Sequence, residues 1–202
     1  MADISKNLDR VIQDAWLGID VKDGDLFNPM DFLFHDDDPD KMLERIAWLM
    51  MRPEYFSFVC KYILNIEISP FQSLLLQEMW HKKFPMLIGS RGMGKSFILA
   101  LYSILRALFM PRRKIIIVGA AFRQSKVLFE YMETIWRNSP ILRSIFTGNE
   151  DGPRRDVDRC TIRLGDSWTI AVPMGDGSKI RGLRAHIIIA DEFASISPDI
   201  YE

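Results

Sequence analysis

The chain has 202 residues, of which 48% are apolar and 26% charged, with a formal net charge of −1; this is a globular composition with enough apolar sequence for one or two packed domains, and it excludes a disordered tail. Cys60 and Cys160 form neither a disulfide framework nor a metal-ligand spacing, which points to a reducing compartment. The longest uncharged apolar run, between Lys95 and Arg106, is far short of the roughly 20 residues of a spanning helix, and the charged N-terminus lacks an apolar signal core, so secreted, collagen-like and membrane-spanning classes are disfavoured.

Residues 1–35 read as an irregular arm with one short helix around Leu8 to Leu17. Gly24 to Pro39 carries turn residues and the acidic run Asp36-Asp37-Asp38, and reads as a linker. An arm and linker thus occupy residues 1–40, and one domain is expected over 41–202. Pro39 suits a first helical position after an Asp38 cap. Met42, Ile46, Leu49 and Met50 then recur at helical spacing. A second helix is predicted from Pro53 to about Leu64, and a third from Ser69 to about His81.

Beyond this helical lead-in the pattern changes. Phe84 to Gly89 reads as a short apolar strand, and Ser96 to Phe109 as a buried helix. Lys114 to Gly119 is apolar without alternation, as expected of a strand covered on both faces. Phe122 to Arg137 reads as an amphipathic helix with Leu128, Tyr131, Met132 and Ile135 on one face. Cys160 to Leu164 and Trp168 to Val172, around Gly165-Asp166, suggest a hairpin that is an insertion or an edge. His186 to Ala190 is a third buried strand. The alternation of strands and helices predicts an α/β domain with a largely parallel sheet flanked by helices.

Charge is unevenly spread. Residues 1–84 hold nine Lys/Arg against fifteen Asp/Glu, whereas residues 112–184 hold fourteen against eight. Any polyanion site must therefore be local. Arg112, Arg113 and Lys114 form one basic cluster, and Arg154, Arg155 and Arg159 another. A solvated surface is the ordinary account of such clusters.

The densest chemical signal is Gly89-Ser90-Arg91-Gly92-Met93-Gly94-Lys95-Ser96, which satisfies G-x-x-x-x-G-K-[ST] between a predicted strand and a predicted helix. Gly89, Gly92 and Gly94 allow tight turns that bring backbone N–H groups to phosphate oxygens. The helix start adds its positive dipole end. Lys95 suits the β- and γ-phosphates, and the Ser96 hydroxyl suits a Mg²⁺ shell. Ile187 to Asp191-Glu192 is the second element: a buried strand that delivers a carboxylate to its C-terminal end, where ligands bind in open α/β sheets. Asp191 is the candidate Mg²⁺ partner, and Glu192 the candidate base for an attacking water.

Three further positions stay open between a functional and a plain reading. Arg91 is either a cation over the γ-phosphate or a surface arginine. Arg181, in Gly177-Ser-Lys-Ile-Arg181-Gly182, is either an arginine finger acting on a neighbouring subunit's nucleotide or a turn residue. Phe71-Gln72 either reads adenine or starts a helix. His35, His81 and His186 have no zinc spacing. Trp136 and Trp168 read as core rather than stacking platforms.

In combination, Phe71-Gln72, the Ser-Arg-Gly-Met-Gly-Lys-Ser loop, the Ile-Arg181-Gly stretch and Ile-Ile-Ile-Ala-Asp191-Glu192-Phe-Ala resemble the N-terminal ATPase domain of the tailed-phage large terminase subunit, over roughly residues 65–197. The resemblance implies a P-loop NTPase fold of the ASCE type, ATP and Mg²⁺ as ligands, and hydrolysis that drives double-stranded DNA into a procapsid. It implies Lys95, Arg181 and Glu192 as catalytic residues, Gln72 and Gly89 to Ser96 as nucleotide contacts, and Ser96 with Asp191 as metal partners, the last in a Walker B strand. It also implies a homo-oligomeric ring, a portal protein and a small terminase subunit as partners, no membrane, and work in the cytoplasm of an infected bacterium. In that family a coupling motif and a nuclease domain follow the Asp-Glu strand. The expectation is thus a fragment lacking the end of the ATPase core, which a second chain would complete. A helicase-like ATPase of the Asp-Glu type shares the loop, the carboxylate pair and an upstream glutamine. A nucleotide-binding module without turnover is the non-enzymatic alternative.

Overall fold

The computed structural model describes residues 50–119, 122–157, 159–173 and 184–192. The predicted Leu8–Leu17 helix, the acidic linker, most of the Met42–Met50 stripe and the Gly177–Gly182 stretch lie outside them. The chain divides into two compact units, Met1–Met86 and Leu87–Glu202.

In the first unit, a 3-10 turn over Pro53–Tyr55 runs into helix α1, Phe56–Tyr62. Where one helix was expected from Pro53, the chain makes two short elements, with Pro53 opening the first. Helix α2 spans Pro70–His81, close to the expected Ser69 to His81, with Ser69 as its N-cap. The Ser69 hydroxyl accepts from the Gln72 N–H at 3.3 Å, and the Gln72 side-chain oxygen accepts from the Ser69 N–H at 2.8 Å. This capping box satisfies two orphan donors at once, and Pro70 lacks a third. Phe56 meets Trp80 edge to face, with ring centroids 4.7 Å apart.

The second unit holds the sheet. Its elements are α3 (Lys95–Phe109), β1 (Lys114–Gly119), α4 (Phe122–Asn138), α5 (Pro140–Ile145), β2 (Gly152–Arg155), β3 (Cys160–Leu164), β4 (Ser167–Pro173) and β5 (Ile187–Asp191). The five strands lie in the order β2-β3-β4-β1-β5. β1 is parallel to both neighbours: Ile116 sits opposite Ile170 on β4 and Ile188 on β5. The β2–β3 and β3–β4 pairs are antiparallel. The architecture is therefore α/β, but the sheet is mixed rather than largely parallel.

Two expectations are corrected here. The hairpin forms around Gly165, whose φ of +58° supplies the left-handed turn residue. It is not the edge of the sheet, because β4 sits between β3 and β1, and β2 lies outside β3. Turn chemistry marks a hairpin but is silent on what pairs with its far side. The predicted strand Phe84–Gly89 does not form: no described strand pairs with it, and Phe84, Met86 and Ile88 are 86%, 78% and 83% exposed. A strand is defined by a neighbour's backbone groups, which an apolar run cannot supply. Helix α5 and strand β2 were not anticipated.

The lack of alternation in β1 has its expected cause. Ile115 to Val118 are all fully buried. Ile116, Val118 and Val172 form a cluster with Trp168, Ile170, Ala185 and Ala190 on one face. On the other face, α4 packs on β1, β3 and β4, and α3 packs against α4. No described helix is long and apolar enough to cross a membrane.

Helix α4 is also clamped to the edge of the sheet by charge. Arg155 on β2 pairs with Glu133 and lies 3.9 Å from Glu130, while Arg137 reaches Glu133 at 3.0 Å. The Arg155 guanidinium hydrogen-bonded to Glu133 holds that carboxyl below its ordinary range. A depressed carboxylate stabilises the fold above its unfolded pKa and loses that contribution as pH falls through the folded value. Glu133→Gln should therefore cost about 1 kcal/mol in urea unfolding at pH 7, and the difference from the parent should close as the pH drops below the carboxylate range.

Candidate functional site

The glycine-rich loop is built as its residue types demand. Gly92 and Gly94 have φ of +83° and +77°, the left-handed region that strains any other residue. A Cβ at Gly89 would stand 2.2 Å from the Met93 sulfur, so Met93 folds over this position only because it is glycine. Gly94 is also the N-cap of α3, and the Ile98 N–H returns to its carbonyl at 3.0 Å. The first N–H groups of this 15-residue helix have no intrahelical acceptor and face the loop end. The Lys95 ammonium donates to the carbonyls of Gly89 at 2.8 Å and Ser90 at 2.6 Å, so the loop wraps its own lysine.

Ninety-five positions downstream in sequence, β5 brings its terminal carboxylate to the same place. The Ser96 hydroxyl donates to Asp191 Oδ2 at 3.5 Å. Asp191 Oδ1 accepts the Glu192 N–H at 3.0 Å. Burial pushes the Asp191 carboxyl above its ordinary range, and the Glu192 charge adds to this; the Glu192 N–H, the Ser96 hydroxyl and Lys95 oppose it. Such a carboxylate is primed for a cation, which would relieve both the burial cost and the repulsion.

Glu192 itself has φ of +51°, a left-handed backbone on a residue that is not glycine. Its side chain is exposed and accepts a hydrogen bond from the Gln124 amide. Gln124 lies in the first turn of α4, just beyond the C-terminal end of β1. The neighbouring Ser125 hydroxyl, fully buried, donates to the carbonyls of Phe122 at 3.1 Å and Val172 at 3.2 Å, which ties this turn to the end of β4. The sequence gives no local sign of Gln124's role. Its partner lies 68 residues away and is met only through the β1–β5 ladder.

The other expected site residues fall in different places. Ser90 and Arg91 are exposed in the loop. Gln72 belongs to the first unit, where its oxygen closes the capping box of α2. Arg181 lies outside the described residues. Of the basic residues, Arg155 and Arg159 are spent on ion pairs with Glu133 and Asp156, and Arg154 donates to the Asn149 carbonyl. Lys114 instead stands 5.9 Å over the Trp168 ring, and its N–H donates to His186 Nδ1 at 3.1 Å. This cluster is at the opposite strand ends from Asp191. Among the described residues no group of three or more His, Cys, Asp or Glu could hold a metal ion. A hydroxyl and one carboxylate do fit Mg²⁺, which keeps several waters and takes further oxygens from phosphate.

Comparisons of the chain with protein-family models, with curated proteins and with solved structures return no match in any of the three.

The raised Asp191 carboxyl has a measurable consequence. Its folded state favours the proton, so stability falls as pH rises through the ordinary carboxylate range to the raised value, and stays lower above it. Asp191→Asn should raise the melting temperature at pH 7 without Mg²⁺, and the gain should vanish in acid, where the parental carboxyl is protonated in both states.

Proposed function

We propose that the chain is a Mg²⁺-dependent ATP hydrolase of the P-loop type, serving a DNA-packaging motor. One observation carries the hydrolase reading: the Ser96 hydroxyl at the start of α3 meets the Asp191 carboxylate at the end of β5, directly beside Lys95. A helix start, a lysine and a paired hydroxyl and carboxylate are what a triphosphate with its cation requires.

In this reading the loop and the first turn of α3 bind the phosphates through backbone N–H groups. Lys95 exchanges its two loop carbonyls for the β- and γ-phosphate oxygens. Ser96 and Asp191 would hold Mg²⁺, which supplies charge neutralisation on the phosphates when bound. Glu192 accepts a proton from water as the water oxygen bonds to the γ-phosphorus. The bond from that phosphorus to the β–γ bridging oxygen breaks, releasing ADP and inorganic phosphate. Arg181 would add positive charge from a neighbouring subunit. The motor role, with double-stranded DNA, a portal protein, a small subunit and a procapsid, rests on the resemblance of the loop and Asp-Glu motifs alone.

A nucleotide-binding module without turnover is the second reading. That no described strand pairs with the Phe84–Gly89 segment favours it, because among the described elements the loop is then held by α3 rather than by a strand of the sheet.

ATP hydrolysis by the full chain with Mg²⁺, with and without double-stranded DNA, over a range of protein concentrations separates these. Lys95→Ala should reduce turnover on the order of a hundredfold or more. Glu192→Ala should keep nucleotide binding and lose turnover by a similar factor. Parental turnover in Glu192→Ala overturns the base assignment. Lys95-dependent binding with no turnover at any concentration favours the binding module. A rate that climbs faster than linearly with concentration supports a residue acting in trans.

A further inference from the structure

We infer that Gln124 is a positioning residue for Glu192: its side-chain amide holds one carboxylate oxygen of the base and leaves the other to take the proton from water. The inference rests on the hydrolase reading and deepens it. Glu192 is the position in the site that most needs such a partner. It follows the last residue of β5, which has no outer neighbour among the described residues; its side chain is exposed, and its backbone is left-handed. Nothing in the ladder fixes its carboxylate, since β5 ends one residue earlier. An exposed glutamate samples several rotamers, and a base that misses its water by an ångström loses about a hundredfold in rate.

Gln124 answers each of these deficits. Its amide nitrogen donates to Glu192 Oε2, so one rotamer is selected. A neutral amide does this without adding a charge to a site that must also hold phosphates. The support under Gln124 is stiff. Ser125, its neighbour, is fully buried and bonded to the end of β4, while Leu128 and Phe129, one turn on, are fully buried in the core. The three parallel strands thus contribute in different ways to one carboxylate. β5 carries it, β1 leads into the helix that holds it, and β4 anchors that helix. Glu192 therefore reports on the relative placement of three strand ends, which a glutamate fixed by its own strand would not.

The test is a double-mutant cycle on Mg²⁺-ATP hydrolysis by the full chain. The variants are Gln124→Ala, Glu192→Gln and the pair together, with Lys95→Ala as the blank. Gln124→Ala should lower kcat about tenfold or more and leave KM for Mg²⁺-ATP within about twofold. In the Glu192→Gln background, Gln124→Ala should cost nothing further, because the two residues act through one carboxylate. Gln124→Met keeps the shape and removes the donor; it should match Gln124→Ala in kcat, and it replaces that variant if the alanine chain melts early. A parental kcat in both Gln124 variants overturns the inference and leaves the hydrolase reading standing. So do losses that multiply in the double variant. No Lys95-dependent turnover in the parent, with nucleotide binding or without it, overturns the hydrolase reading and this inference with it.

Discussion

The parallel ladder of β1 is the constraint on which the second unit depends. β1 is bonded on both sides in continuous register, to β4 from Lys114 to Gly119 and to β5 from Ile115 to Gly119. That register alone brings Gly119, Pro173 and Asp191 to a common edge. Burial of Ile115 to Val118 on both faces fixes it, because a slip by one residue would exchange the two apolar faces and break contacts with α4 on one side and the Val118–Val172 cluster on the other. The Ser96–Asp191 contact inherits its position from this ladder, since nothing local in the loop or in β5 could bring residues so far apart in sequence to one another.

The sequence is readable wherever a short-range rule decides. The loop glycines, the G-K-S start of α3, the apolar run of β1 and the Gly165 turn are each set by residues within a few positions, and each takes the expected local form. Reading fails where a partner decides. Phe84–Gly89 has strand composition and no ladder, β4 is central rather than peripheral, and Gln124 looks like any polar residue in an amphipathic helix. Helix α5 escapes because six residues are too few to show a period, though Ser139 caps it as Ser69 caps α2. β2 escapes for the opposite reason: Gly-Pro-Arg-Arg has poor strand composition and forms only because β3 offers it an edge.

Charge tells a similar story. The basic third of the chain reads as one block in sequence, but folding separates two of its clusters. Arg155 pairs with Glu133 of α4, Arg159 with its near neighbour Asp156, and Arg163 of β3 with Glu150 just before β2. Arg112, Arg113, Lys114 and His186 collect instead at the strand ends remote from Asp191. Net charge over a window therefore overstates the cationic surface, because Arg155, Arg159 and Arg163 each face a carboxylate.

The two outer strands of the sheet are chemically unequal. β2 presents a proline and two arginines along four residues, and proline has no N–H to offer a newcomer. β5 presents three isoleucines and an alanine before its carboxylate, and Ile188 is 63% exposed. Among the described residues it has no outer neighbour. Among the described residues the two outer strands therefore differ in what they offer a further strand: β2 lacks one N–H, whereas a strand laid along β5 would run beside the end that carries Asp191.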